Sequence, residues 1–107
     1  MPLTAPAYCI LAALAEAPRH GYAIMRDVAS SSAGSIDLKA TTLYATLDRL
    51  SREGLVTTAG EEIVDGRARR YFRLTDRGVG ALEEEVARLE ALARAGRARL
   101  RQRPAIA

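Results

Sequence analysis

The stretch that decides the fold is TTLYATLDRLSREGLV, residues 41–56, followed by EEIVDGRARRYFRL, residues 61–74. In the first, Leu43, Leu47 and Leu50 recur at i, i+4 and i+7, the spacing of a buried helical stripe, and Gly54 supplies the stop. At about 100° per residue, Thr41, Ala45, Asp48 and Arg52 lie opposite that stripe, flanked by Thr42 and Arg49, with Tyr44 at the border. That face is polar and free of bulky apolar groups. In the second, β-like runs at 55–64 and 67–74 flank Asp65-Gly66, a strong signal for a two-residue hairpin turn. Phe72 and Leu74 share one strand face, whereas Arg67, Arg69, Tyr71 and Arg73 alternate onto the other. A lean helix running into a one-sided basic hairpin is the layout of a winged helix-turn-helix.

Working outward, Thr4 to Ala15 is dominated by small and apolar residues and predicts a first helix capped by Thr4, with Pro6 in its first turn. Ala17-Pro18 ends it, and His20-Gly21-Tyr22 opens a second helix that the serine run Ser30 to Ser32 and Gly34 close. Ser35 to Leu38 alternates polar and apolar residues as a short half-buried strand would. Downstream, Thr75 caps a last helix in which Val79, Leu82, Val86, Leu89, Ala93, Gly96 and Leu100 alternate spacings of three and four. This is a coiled-coil seam longer than one small domain needs, and it predicts a homodimer. The chain therefore divides into a DNA-binding domain over residues 1–75, a dimerisation helix over 76–103 and a frayed tail over 104–107. The fold class is mainly α with a small antiparallel β-hairpin.

Composition narrows the function. At 107 residues, 49% hydrophobic and 27% charged, the chain is one globular domain. Cys9 and His20 are its lone cysteine and histidine, which leaves no ligand set for zinc within a subunit, so no metal or cofactor is expected and a metal sensor of the ArsR type is excluded. No nucleophile has a base at a recognisable spacing and no glycine loop cradles phosphate, so the chain does not read as an enzyme. There is neither a leader nor an apolar run of about 20 residues, which predicts a cytoplasmic protein with no membrane partner. A net charge of +3 fits an anionic partner only through its placement.

That placement points to double-stranded DNA. A major groove about 12 Å wide admits one helix, whose polar groups then meet base edges and phosphates. The candidate reading residues are Lys39, Thr41, Thr42, Tyr44, Ala45, Asp48 and Arg49; the candidate wing residues are Gly66, Arg67 and Arg69, whose cations would neutralise neighbouring phosphates. The seam residues from Val79 to Leu100 are the candidate dimer interface. Asp48 repels phosphate and directly suits only a cytosine amino group, unless it pairs with Arg49, Arg52 or a partner residue. It is the chief support for an alternative, a winged-helix protein-protein interaction module that has lost DNA binding. The bland readings are that His20 makes a local bond, Cys9 is a buried hydrophobe and Glu83 to Glu85 form a solvated face. Arg70 suits stem packing, an ion pair or DNA alike. The arginines from Arg97 to Arg103 suit a helix C-terminus as well as a DNA-binding tail.

Four segments carry a family resemblance: His20-Gly21-Tyr22; Thr42-Leu43-Tyr44 with Leu47-Asp48-Arg49-Leu50; Glu53-Gly54-Leu55-Val56; and Arg69-Arg70-Tyr71-Phe72-Arg73-Leu74-Thr75 with Gly78. In this order and spacing they resemble the PadR family of bacterial transcriptional regulators. The resemblance implies a short-form homodimeric winged-helix repressor acting at an inverted-repeat operator, its final helix packed across the partner and against the partner's first helix. A small-molecule effector is a further partner that it admits. Thr41, Ala45 and Asp48 depart from the family pattern on the reading face, so the operator sequence does not transfer from a relative.

Overall fold

The computed structural model describes residues 2–105. Their element order is α1 (Ala5–Glu16), β1 (Arg19–His20), α2 (Gly21–Ser31), α3 (Ala40–Arg52), β2 (Val56–Val64), β3 (Arg67–Leu74) and α4 (Asp76–Gln102). The three strands form one antiparallel sheet in the order β1-β3-β2.

Each helix start but one is fixed by a side chain. Thr4 Oγ1 accepts from Ala7 N–H at 3.2 Å, His20 Nδ1 accepts from Ala23 N–H at 3.3 Å, and Thr75 Oγ1 accepts from Gly78 N–H at 3.0 Å. His20 thus makes the local bond expected of it, and its ring meets Tyr71 edge-on with centroids 5.3 Å apart. The end of α3 is a Schellman turn. Gly54 N–H donates to Ser51 O at 3.1 Å and Leu55 N–H to Leu50 O at 2.9 Å, with Gly54 at φ +77°. Leu50 and Leu55 are both buried, so the turn that ends the helix also closes the core.

The core collects Ile10, Leu11 and Leu14 of α1, Ile24 and Val28 of α2, Leu43, Leu47 and Leu50 of α3, and Val56 and Phe72 of the sheet. Burying each large side chain contributes about 1.5–3 kcal/mol against chain entropy. The half-buried Cys9 packs against this core, and burial, with Asp27 nearby, pushes its thiol above the ordinary value. A thiol held protonated in this way is a packing group rather than a nucleophile.

Three features depart from the sequence expectations. Ser35 to Leu38 forms no strand: its alternation is real, with Leu38 buried and Ile36 packed on the core, but Ser32 Oγ accepts the Ile36 N–H at 3.1 Å and no ladder partner faces it. The edge of β3 is taken instead by β1, which pairs Arg19 with Phe72 and His20 with Tyr71. Glu85 is buried, 5% exposed, not part of a solvated face. Arg88 grips it through two bonds of 2.9 and 2.5 Å. That hydrogen-bonded guanidinium, helped by the Leu3 backbone N–H, outweighs desolvation and holds the Glu85 carboxyl below its usual range.

The last helix ends at Gln102 with Arg103 as its C-cap. Of the expected tail, residues 106 and 107 lie outside the described residues.

Candidate nucleic-acid interface

Helix α3 buries Leu43, Thr46, Leu47 and Leu50 and exposes Thr41, Thr42, Tyr44, Ala45, Asp48, Arg49 and Arg52. Thr46 is accommodated inside because its hydroxyl donates back to Thr42 O at 2.7 Å. The sequence-derived reading residues therefore share one exposed surface, and Lys39 lies just before it as the N-cap.

Lys39 makes no side-chain cap bond, since an ammonium cannot accept one. The first-turn N–H groups of Ala40, Thr41 and Thr42 thus have no carbonyl partner within the helix, and a helix N-terminus in that state suits an anionic oxygen. Sequence reasoning missed this backbone feature. Its signal was the absence of Ser, Thr, Asp or Asn at position 39, where the other capped helices have Thr4, His20 and Thr75.

Asp48 lies 3.0 Å from Arg52 across one helical turn, so the carboxylate that made the reading face awkward is partnered along the helix. Tyr44 is 52% exposed, and its hydroxyl lies against the start of α2, where a Cβ on Gly21 would overlap it. The His20-Gly21-Tyr22 and Thr42-Leu43-Tyr44 motifs are therefore two halves of one contact. Beside it Arg26 stacks over the exposed Tyr22 ring at 5.8 Å.

The wing is the β2-β3 hairpin. Both turn residues adopt positive φ, Asp65 at +51° and Gly66 at +75°, which is what a type I′ turn requires. The ladder sets Glu62 opposite Arg69 and Glu61 opposite Arg70, while Arg67 faces Val64. Arg67 is accordingly the wing cation least offset by a neighbouring acid. Among the described residues, Arg49, Arg67, Arg69 and Arg70 have no carboxylate within ion-pair distance. Arg70 is exposed, so the ion pair that would have made it structural is not formed. Between Thr58 and Glu61 the register slips, Gly60 adopting φ +113°, which marks a bulge below the wing tip.

The candidate dimer residues all lie on α4, but not all are free. Leu82 packs against the domain's own core, whereas Val79, Val86, Leu89, Ala93, Gly96 and Leu100 are exposed. A groove of about 910 Å³ runs between Leu3, the end of α3 at Arg49 and Arg52, and the start of α4 at Arg77 and Ala81. Among the described residues no group of three or more potential metal ligands occurs, and no helix is long and apolar enough to cross a membrane.

The family model of the transcriptional regulator PadR-like family matches residues 10–84. The chain belongs to that family. It is a transcriptional regulator, not an enzyme. Transcriptional regulator Rv3488 of Mycobacterium tuberculosis is 43% identical over 79 residues, which cover 74% of the chain and 60% of that protein. A PadR family transcription regulator from Clostridium difficile R20291 superposes with a TM-score of 0.76 at 21% identity, covering 91% of this chain and 99% of that one. Bacillus subtilis PadR, solved in complex with operator DNA, superposes with a TM-score of 0.70 at 24% identity over 79% of this regulator and 48% of its own chain. These superpositions place the four helices and the small sheet of the regulator in the winged-helix fold.

Proposed function

We propose that this regulator is a cytoplasmic homodimer that binds an inverted-repeat operator in double-stranded DNA and represses transcription by blocking promoter access. The observation that carries the reading is the exposed face of α3, lean, polar and open at its N-terminus, running through the Gly54 turn into a hairpin with unpaired arginines. One α3 helix enters each of two major-groove segments about one helical turn apart. Its first-turn N–H groups and Lys39 take backbone phosphate, Thr41, Thr42, Ala45 and Arg49 meet base edges, and Tyr44 lies beside the phosphates. Arg67 and Arg69 reach flanking phosphate or minor groove from Gly66 at the wing tip. The operator-bound B. subtilis relative supports the same partner. The Asp48–Arg52 pair partly offsets the carboxylate on the exposed face of α3, which supports this reading over a module that has lost DNA binding.

A mobility-shift titration on the regulator's own upstream region is expected to show specific binding that weakens steeply with salt. Replacing Arg67 and Arg69 by Ala is expected to lower affinity across all sequences and flatten the salt dependence, by about one slope unit per phosphate contact removed. Changes at Thr41 or Ala45 are expected to alter sequence preference instead. A wing double variant that binds as the parent does contradicts the role given to the hairpin.

A further inference from the structure

The side chains that read adenine with two bonds are missing from α3. In the major groove adenine offers its N7 acceptor and its N6 amino group, a pair matched by the amide of Asn or Gln. The chain contains no Asn, and its one Gln is Gln102, at the far end of α4. An A·T pair facing α3 must therefore be recognised through its thymine.

The exposed groups of α3 supply that chemistry and one other. At about 100° per residue, Thr41, Ala45 and Asp48 lie along the middle of the exposed face, and Thr42 and Arg49 share one flank. Ala45 is exposed and presents a bare methyl group, whose match on a base edge is the thymine methyl. Arg49 is exposed one turn later and, among the described residues, has no carboxylate within ion-pair distance. Its fork is free for the O6 and N7 acceptors of guanine. Arg52 is not free in this way, because it lies 3.0 Å from Asp48. That single contact leaves the Asp48 carboxylate further lone pairs, which suit the amino group of the cytosine paired to such a guanine. From Ala45 to Arg49 the helix rises about 6 Å, close to two base-pair steps.

We infer that α3 discriminates an A·T pair through the thymine methyl at Ala45 and, about two base pairs further on, a G·C pair through Arg49 on guanine. The inference rests on the DNA-binding reading above and adds to it which bases the helix selects. Thr41 and Thr42, whose hydroxyls both donate and accept, bond either kind of base edge and select weakly.

Mobility-shift titration tests it on operator duplexes taken from selected genomic fragments and resynthesised with one base analogue at a time. Uracil in place of thymine removes the methyl group alone, and 7-deazaguanine in place of guanine removes the N7 acceptor alone; both keep their base pairing. At one thymine of the half-site, uracil is expected to weaken the parent chain about fourfold, the loss of one buried methyl group. At one guanine about two base pairs away, 7-deazaguanine is expected to weaken it about tenfold. Ala45→Gly is expected to bind the thymine and uracil duplexes equally, and Arg49→Ala the guanine and 7-deazaguanine duplexes equally. The parent chain by itself decides whether the two groups are read, so the test does not hang on the stability of either variant. Absence of specific binding to any duplex overturns the DNA-binding reading and the inference with it. Specific binding that neither analogue changes at any position of the half-site overturns the inference alone, as does sensitivity that persists in Ala45→Gly and Arg49→Ala.

Discussion

Gly21 and Tyr44 are 23 positions apart in sequence, yet each constrains the other. A methyl group on Gly21 would overlap the Tyr44 hydroxyl and press on the Leu43 side chain, so the Gly is set by a close approach and not by backbone conformation. Gly21→Ala is expected to cost about 1–3 kcal/mol as overpacking. In a Tyr44→Ala background most of that added cost should vanish, which a double-mutant cycle from urea unfolding would read directly. Equal costs in both backgrounds would mean that the motifs are not coupled through this contact. The reading-face residues were legible because helical periodicity assigns a face whatever the partner is. The Gly21–Tyr44 seat was not, because nothing in either motif names the other. Glu85 was illegible for a related reason: three successive acids look alike until tertiary packing covers one of them.

At the scale of elements, the junction of α3, β2 and α4 holds α3 and the β2-β3 hairpin on one frame. Thr75 caps α4 and also donates to Gly54 O at 2.6 Å, and its N–H donates to Leu55 O at 3.1 Å. The start of α4 approaches so closely that a Cβ on Gly78 would overlap the Leu55 carbonyl oxygen. The hairpin and its turn were readable from Asp65-Gly66, whose local chemistry decides the turn type without help from the rest of the chain. Strand β1 was not, since two residues show no periodicity and pair only because β3 has a free edge beside them.

Glu85 ties α4 to the N-terminal arm, and its depressed acidity gives a signed expectation. A carboxylate whose folded value lies below the unfolded one stabilises the fold at pH above its ordinary range, near 4.5, and loses that contribution as pH falls through the lower folded value. Glu85→Gln should therefore unfold more easily than the parent at neutral pH, with the difference closing in acid below the ordinary glutamate range. Urea titrations across that pH window check it. A gap that stays constant with pH would show that the Arg88 grip carries no linkage.

For the whole molecule, 65 Å along its longest axis, the long dimension reflects an α4 that runs beyond the domain it starts in. Sequence patterning exposed that excess because the seam continues after the core has ended. It could not show that Leu82 is spent within the subunit, which needs the tertiary contact itself. A dimer joined through α4 presents two copies of α3 and two wings related by a twofold axis, and such an object demands a twofold-symmetric DNA site. Sequencing of genomic DNA fragments selected by the purified regulator puts that demand to the test. The expected result is enrichment of an inverted repeat with half-sites about 10 bp apart, centre to centre. Enrichment of a site without that symmetry, or no enrichment over bulk DNA, would contradict a paired-helix reader.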